Sequence, residues 1–327
     1  MANEARHHHY IPQAYLRGFA RQISKRQWQS HVTDLSDQRT YTSNVRNICG
    51  ERDFMRIEIA GHSPDAIEKE LSNFEAKGIE AIRRVADGAD FVGADANWTL
   101  NLMALLAVRS PEMRENQRGF HEQVAKRILD VALVSKERWE GQISRMQADG
   151  MPVNSTTYEE IKAFHKKEEY KVTIAREYQI GTEFKMMETV LDLLGKRQWS
   201  VYRTDGKSGE FLTTNRPVTL TYNSPEDIPL LYRNSPGFAC LDTEVYFPLN
   251  RNALLIGRFD RKAESAMVKQ SFIAAVNTHM LMHCFGKAFS KQQDILYVDV
   301  RDQLICFDGQ LLEKIKRWQA QEKAEEK

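Results

Sequence analysis

The chain has 327 residues, and its 46 lysines and arginines nearly balance its 45 aspartates and glutamates. With 42% hydrophobic and 28% charged residues, a chain of this length can bury a core, which excludes general disorder and a fibrous rod. The net charge of +1 argues against a protein dedicated to wrapping DNA or covering a membrane surface, but it is compatible with a local basic groove.

Scattered cysteines and the lack of a signal peptide predict a cytoplasmic protein. The four cysteines are scattered without a Cys-x-x-Cys pair, which suits a reducing compartment. Residues 1–10 lack the apolar core of a signal peptide. The longest apolar run, residues 98–108, is shorter than the roughly 20 residues that cross a bilayer. We therefore expect a cytoplasmic location and no membrane partner.

Helices dominate the predicted elements up to residue 195. A short helix over 11–20 precedes a hairpin made of runs 27–32 and 39–42, and residues 53–59 are a candidate third strand. Apolar periodicity and break signals then predict helices over 65–86, over 97–110, from 111 toward 146, and over 172–195. Residues 156–170 are polar, and we expect them to be exposed.

The pattern changes at Gln198, after which β-rich runs are separated by turns. The predicted strands are 199–203, 211–214, 218–222, 244–247, 253–256 and 295–300, and the predicted helices are 262–285 and 310–327. Strands and helices are segregated, so the fold class is α+β, with an N-terminal hairpin and short strands, a long helical middle, and a C-terminal antiparallel sheet with packed helices. We expect a single domain over 1–290, with sub-domains 1–150 and 151–300 as the alternative, and a C-terminal helical tail over 301–327.

A basic stretch without any acidic residue runs from Ala5 to Thr33. Its cations are Arg6, Arg17, Arg21, Lys25 and Arg26, and its interleaved aromatic residues are Tyr10, Tyr15, Phe19 and Trp28. Surfaces that combine basic and aromatic side chains bind phosphates and stacked bases. Tyr10, Arg17 and Arg21 are therefore candidate substrate-binding residues. The alternative is a solvated basic face above aromatic core residues.

Three consecutive histidines, His7 to His9, precede the first predicted helix. Imidazole transfers protons near neutral pH, stabilises a phosphate as a cation, or binds a metal when neutral. At the entrance to a helix, backbone N–H groups would help to hold an anion. His8 and His9 are candidate catalytic residues, and the alternative is a flexible polar N-terminus.

Two carboxylates and two arginines in the helical region are further candidates. Glu68 and Glu75 are seven residues apart on the helix predicted over 65–86, so they project from one face, where paired carboxylates bind a metal or hold a histidine tautomer. The alternative for both is a solvated face. Arg109 ends the apolar helix, where it either neutralises the helix C-terminus or presents a planar fork to a phosphate or carboxylate. We expect Arg114 to point the same way.

A polar corner joins two predicted strands at Thr213, Thr214 and Asn215. Hydroxyl and amide groups at a strand end are typical of functional loops, and a plain turn is the alternative. His279 and His283 have the i,i+4 spacing of zinc ligands, but the glutamate of the His-Glu-x-x-His motif is absent. We expect these two histidines to lie in a helix core and to bind no metal.

The segment His-His-Tyr-Ile-Pro-Gln-Ala-Tyr-Leu-Arg-Gly-Phe, residues 8–19, resembles the opening motif His-His-Tyr-x-Pro-x-x-Tyr-Leu-x-x-Phe of the bacterial domain-of-unknown-function family 4238. Further similar segments follow in order at 45–54, Ile67-Glu68 with Phe74-Glu75, Arg109-Ser110-Pro111, 211–218 and 245–249. The resemblance covers about residues 6 to 290 and implies no particular reaction. This chain has Thr214-Asn215 where the family more often has Ser-Asp, and an asparagine cannot act as a base.

Motifs for phosphate loops, Rossmann dinucleotide binding and the α/β-hydrolase nucleophile are absent. We expect hydrolysis or transfer at a phosphodiester of nucleic acid, with a histidine as acid, base or metal ligand, carboxylates that orient it, and arginines that stabilise charge. The catalytic candidates are His8, His9, Glu68, Glu75, Arg109 and Asn215, and the substrate-binding candidates are Tyr10, Arg17, Arg21, Arg114, Thr213 and Thr214. The alternatives are a non-catalytic module that binds nucleic acid or protein, and a structural protein. A divalent metal as cofactor and the oligomeric state both stay open.

Overall fold

A computed structural model of the chain describes residues 6–229, 232, 236–299 and 304–317. The chain divides into two compact units. The first unit, which we call the main unit, comprises Met1–Ser110 and Ile180–Lys327, and the second, the helical unit, comprises Pro111–Gln179. This division differs from the sub-domains 1–150 and 151–300 that we considered from the sequence, because the segment on each side of the helical unit belongs to one compact body.

The secondary structure confirms the α+β class. The strands are β1 (His7–His9), β2 (Arg21–Ser24), β3 (Gln27–Asp34), β4 (Arg39–Asn44), β5 (Gly50–Arg52), β6 (Gln198–Arg203), β7 (Thr213–Thr214), β8 (Thr219–Tyr222), β9 (Thr243–Asn250), β10 (Ala253–Arg258), β11 (Ser265–Met267), β12 (Lys287–Ser290), β13 (Ile295–Asp299) and β14 (Leu304–Asp308). The helices are α1 (Gln13–Leu16), α2 (Ala66–Ala86), α3 (Gly93–Val108), α4 (Pro111–Ala132), α5 (Lys136–Ala148), α6 (Tyr158–Lys167), α7 (Arg176–Gly195), α8 (Gln270–Met282) and α9 (311–317).

The N-terminal histidines form a strand, so they do not lie at the N-terminus of a helix as we expected. β1 pairs antiparallel with β5, which places His8 opposite Glu51. α1 is a single turn that begins only at Gln13. The strand predicted over 53–59 is also wrong, because Asp53 has a φ of 57° that turns the chain directly after β5.

The predicted hairpin of β3 and β4 is confirmed, with Val32 opposite Tyr41. β3 also pairs with β2 and β12, and β12 pairs with β7, which completes one sheet of the main unit. A second five-stranded sheet has the order β11-β6-β10-β9-β8. This C-terminal sheet is antiparallel except for β11, which runs parallel to β6.

α2 and α3 form the helical side of the main core. α2 buries Leu71, Ile79 and Ile82 on one face, which is the periodicity seen in its sequence. α3 is apolar on nearly all sides, and its second half, which includes Leu102, Met103 and Leu105, is largely buried. The two helices approach closely at Gly78, where an added Cβ would lie 2.8 Å from the Leu102 Cβ, so glycine is required for this contact.

The helical unit contains α4, α5 and α6. The apolar stripe that predicted one segment toward Met146 is interrupted after α4, because Ser135 caps α5 by accepting the Arg138 N–H. α6 has a capping box formed by Thr157 and Glu160. Among the residues that the structure describes, no helix is long and apolar enough to cross a membrane.

The C-terminal region differs from the prediction in detail. The helix predicted over 262–285 is preceded by strand β11 and spans only Gln270–Met282. Within 301–327, which we expected to be helical, Leu304–Asp308 forms β14 and pairs with β13, and α9 follows. Residues 318–327 lie outside the described residues.

Candidate functional site

His8 is buried in β1, and its ring is held by the backbone of the segment after β5. His8 is only 2% exposed, and its Nδ1 accepts a hydrogen bond of 2.9 Å from the Met55 N–H. A neutral imidazole that accepts at Nδ1 carries its proton on Nε2. The fold therefore selects the Nε2–H tautomer of His8.

His9 is half-buried and titrates far below its ordinary range. Burial, together with the neighbouring His7, lowers its pKa to about 4. The Nε2 of His9 lies 3.0 Å from the Arg46 carbonyl oxygen, which can only accept, so Nε2 is the donor. His9 is therefore neutral at pH 7 and carries its lone pair on Nδ1.

Arg109 is a buried arginine whose guanidinium is only partly satisfied. Its side chain is 0% exposed, its Nη2 donates to the Glu75 carboxylate, and its Nε donates to the Tyr10 carbonyl over 3.3 Å. Among the described residues, its Nη1 has no hydrogen-bond partner. A buried donor without a partner costs about 1–3 kcal/mol, so this atom favours an anionic ligand.

Glu68 interacts with the same groups. Burial raises the pKa of its carboxyl group, His8 and Arg109 lower the pKa in part, and Glu75 raises it again. Glu68 therefore lies within electrostatic range of all three. The structure thus brings together five of the six catalytic candidates, which we call the histidine–glutamate cluster: His8, His9, Glu68, Glu75 and Arg109.

The charge of this cluster depends on the protonation of Glu68. The two carboxylates of Glu68 and Glu75 share one guanidinium, and burial and the charge of Glu75 favour the protonated form of Glu68. Two exposed cationic residues lie near the cluster. Arg52 is opposite His7 in the pairing of β1 and β5, and the backbone carbonyl of Arg46 accepts a hydrogen bond from His9.

The predicted substrate-binding residues near the N-terminus lie in different environments. Tyr10 is buried against Phe54, with ring centroids 5.9 Å apart, and contributes its carbonyl group to Arg109. Arg17 and Arg21 are exposed, and Arg17 lines a separate cavity. Arg114 lies in the first turn of α4, in the helical unit.

The polar corner after β6 makes structural contacts. The Thr213 hydroxyl lies 2.9 Å from the Tyr15 hydroxyl, and the Thr214 hydroxyl donates to the Arg216 carbonyl over 2.7 Å. Asn215 accepts from the N–H groups of Phe285 and Lys287 at 3.0 and 3.2 Å, and its Nδ2 donates to the Phe285 carbonyl over 2.8 Å. These bonds clamp β7 to the segment after α8.

His279 and His283 lie at the end of α8. Burial lowers the pKa of His279 to about 3, and its Nε2 lies 2.9 Å from the Thr219 hydroxyl. His283 donates from Nδ1 to the His279 carbonyl over 2.8 Å. Across the described ranges, no group of three or more histidine, cysteine, aspartate and glutamate side chains could hold a metal ion.

Two contributors to the cluster escaped the sequence analysis. The Met55 N–H and the Arg46 carbonyl determine which nitrogen of each histidine carries the proton. Both are backbone groups, which every residue possesses, so no residue type could have indicated them.

The model of a family described as "Protein of unknown function (DUF4238)" matches residues 7–294. This range includes every residue of the histidine–glutamate cluster. Neither the curated proteins nor the solved structures contain a match to the chain.

Proposed function

Because the chain belongs to the DUF4238 family of proteins of unknown function, its activity has to be inferred from its own site, and we propose that it hydrolyses phosphodiester bonds in single-stranded nucleic acid. Three observations carry this proposal. His9 and Glu68 both lie within electrostatic range of the buried Arg109, and their pKa values are shifted in opposite directions. Arg109 also has a buried nitrogen without a hydrogen-bond partner among the described residues. His9 is held neutral, whereas the carboxyl group of Glu68 retains its proton to higher pH than usual. Two titratable groups whose pKa values are pushed apart are the usual arrangement of a general base and a general acid.

The reaction assigns one role to each of these groups. His9 Nδ1 takes a proton from a water molecule, and the water oxygen forms a bond to phosphorus. The bond between phosphorus and the leaving oxygen breaks, and that oxygen takes the proton of Glu68. The products are a phosphomonoester and an alcohol. The proton on His9 then returns to Glu68 through solvent.

Arg109 stabilises the charge that develops on the phosphoryl oxygens. Its Nη1 is the donor without a partner among the described residues, and a donor placed before the reaction contributes more in a buried site than in water. Glu75 is a positioning residue, because it holds the guanidinium through Nη2. His8 is a second positioning residue, since its ring is fixed by Met55 and its interaction with Glu68 limits the rise of that carboxyl pKa.

The substrate class rests on the basic stretch. All five of its cations are exposed: Arg6, Arg17, Arg21, Lys25 and Arg26. Exposed cations without local acids attract a polyanion. A non-catalytic nucleic-acid-binding module would use the same cations, so the two functions are separated by turnover and not by binding.

The test compares cleavage of labelled single-stranded RNA and DNA by the wild-type chain and by variants of the proposed acid and base. We expect Glu68→Gln and His9→Ala to reduce cleavage by about 100-fold or more, the usual range for loss of general acid–base catalysis. Glu70→Gln is the matched control, because Glu70 is an exposed residue of the same helix. Absence of cleavage with retained binding would favour the non-catalytic module, and equal loss in the control variant would contradict the assignment of Glu68.

A second arm repeats the assay with a chelator. The mechanism above uses only side chains of this chain, so we expect cleavage to persist when divalent cations are removed. Loss of cleavage that is restored by one divalent cation would overturn this mechanism and favour a metal-dependent nuclease.

A further inference from the structure

A separate cavity of about 410 Å³ lies in the main unit. We call it the Arg17 pocket, and its lining includes Arg17, Trp28, Arg83, Asp87, Asn250 and Asn252. Its volume is within the range of small-molecule sites, which begins at about 300 Å³. The side chains come from the turn after α1, from β3, from the end of α2, and from the connection between β9 and β10.

The charged groups of this pocket do not neutralise one another. Arg17 and Arg83 are both exposed, and neither forms an ion pair or a side-chain hydrogen bond with any described residue. The carboxylate of Asp87 lines the same cavity, and it too forms no ion pair within the described part of the chain. The two guanidinium groups therefore keep their donors available, and paired arginine donors favour phosphate.

One further side chain in the pocket suits a nucleobase. Trp28 is half-buried, and its indole N–H has no hydrogen-bond partner among the described residues. Aromatic faces of this kind stack on bases, a contact worth about 1–3 kcal/mol per base.

The backbone makes the pocket rigid. Gly18 allows the turn after α1 to approach the β9–β10 connection, because a Cβ at this position would lie 3.1 Å from the Asn250 Cβ. The Arg251 N–H donates to the Gly18 carbonyl over 3.2 Å, and the Asn252 N–H donates to Asn250 Oδ1 over 2.7 Å. A preformed site loses less entropy when it binds a ligand.

α2 connects this pocket with the histidine–glutamate cluster. Glu75 belongs to the cluster and Arg83 to the pocket, and their separation of eight positions corresponds to about 12 Å along the helix axis. A short single strand of nucleic acid spans such a distance. The distance between the pocket and the cluster is therefore compatible with one polynucleotide reaching both.

We propose that the Arg17 pocket binds one nucleotide unit of a single-stranded polynucleotide, with a phosphate between Arg17 and Arg83 and the base against Trp28. The role of this nucleotide as part of a substrate rests on the proposed function, whereas its binding does not. The strand would be anchored by the pocket while the histidine–glutamate cluster acts on a neighbouring phosphodiester.

The experiment measures binding in the Glu68→Gln chain, in which turnover is suppressed. The probes are a short single-stranded RNA, a nucleoside monophosphate, the free nucleoside and inorganic phosphate, titrated by calorimetry and by tryptophan fluorescence. We expect the monophosphate to bind more tightly than the nucleoside or inorganic phosphate, and to quench fluorescence in a way that Trp28→Leu abolishes. Arg17→Ala and Arg83→Ala should each weaken binding of the RNA about tenfold, the loss of one charge-assisted contact.

Arg39→Ala is the control for loss of one positive charge, because Arg39 is exposed on β4 and pairs with Asp37. Equal weakening in Arg39→Ala and Arg17→Ala would overturn the proposal, since it would indicate attraction by the whole surface. Equal affinity for inorganic phosphate and the monophosphate would also overturn it, because no base would be recognised. If the RNA binds through the pocket but the wild-type chain never cleaves it, only the proposed function is contradicted. Cleavage without any effect of the pocket variants would contradict only the pocket.

Discussion

Arg109 donates a hydrogen bond to Glu75 across 34 residues of sequence, and the guanidinium is fully buried while the carboxylate is only slightly exposed. This pair joins the end of α3 to the middle of α2. It also orients the guanidinium so that Nη1 stays without a partner among the described residues. The pair therefore links the stability of the main unit to the chemistry that we propose for it.

Removal of one partner of this pair should destabilise the chain strongly. In Glu75→Ala the buried Arg109 charge loses its carboxylate, so we expect the free energy of unfolding to fall by about 3 kcal/mol. Urea unfolding at pH 7 measures the loss. Glu70→Ala on the exposed side of the same helix is the control, and we expect it to change stability by less than about 0.5 kcal/mol. Similar losses in both variants would mean that the pair contributes nothing specific.

The rate of phosphodiester cleavage should rise with pH through about 4. His9 loses its proton in that range, because burial and His7 lower its pKa to about 4, and only the neutral ring accepts a proton from water. At higher pH the rate should fall again when Glu68, whose pKa is raised, loses the proton that it donates. A pH profile of kcat/KM tests both limbs. A profile whose ascending limb lies near 6.5, the ordinary value for histidine, would show that His9 is not the base.

Glu68→Gln should stabilise the folded chain at pH 7 while it lowers activity. The raised pKa means that the folded state binds the Glu68 proton more tightly than the unfolded state, so this carboxyl group favours folding at low pH and loses that contribution as the pH rises through the folded pKa. The neutral amide avoids the cost of the buried charge. We expect a higher melting temperature at pH 7 and a smaller difference at pH 4. Thermal melts at the two pH values, with Glu70→Gln beside them, give the measurement, and a lower melting temperature at pH 7 would contradict it.

Asn215 should stabilise the folded chain through the hydrogen bonds that join it to the segment after α8. Asn215→Ala removes three hydrogen bonds to the backbone of Phe285 and Lys287, and we expect a loss of about 2 kcal/mol. Asn215→Asp keeps the two bonds in which the side chain accepts and loses only the one in which it donates. It should therefore cost less than the alanine variant in chemical unfolding. A larger loss in the aspartate variant would indicate that the carboxylate is disfavoured by neighbours other than these backbone groups.

The sequence by itself determined the helical frame of the candidate site. The apolar periodicity of residues 65–86 predicted a helix that places Glu68 and Glu75 on one face, and the structure has that helix at Ala66–Ala86. Helix periodicity and capping are local properties, since they depend on residues three or four positions apart. The absence of familiar nucleotide-binding motifs could also be read from the sequence, because each of those motifs consists of residues that are close together in the chain.

Only the tertiary structure decided how the histidines are used. β1 is a strand because β5 lies beside it, and the protons of His8 and His9 are located by backbone groups at Met55 and Arg46. Such partners are distant in sequence and have no characteristic residue type. The partners of Asn215 are likewise distant in sequence. Its side chain accepts hydrogen bonds from the backbone N–H groups of Phe285 and Lys287, which the local sequence does not indicate. Strand pairing, ion pairing between helices and the burial that shifts a pKa all arise from contacts between remote segments, so no local pattern can contain them.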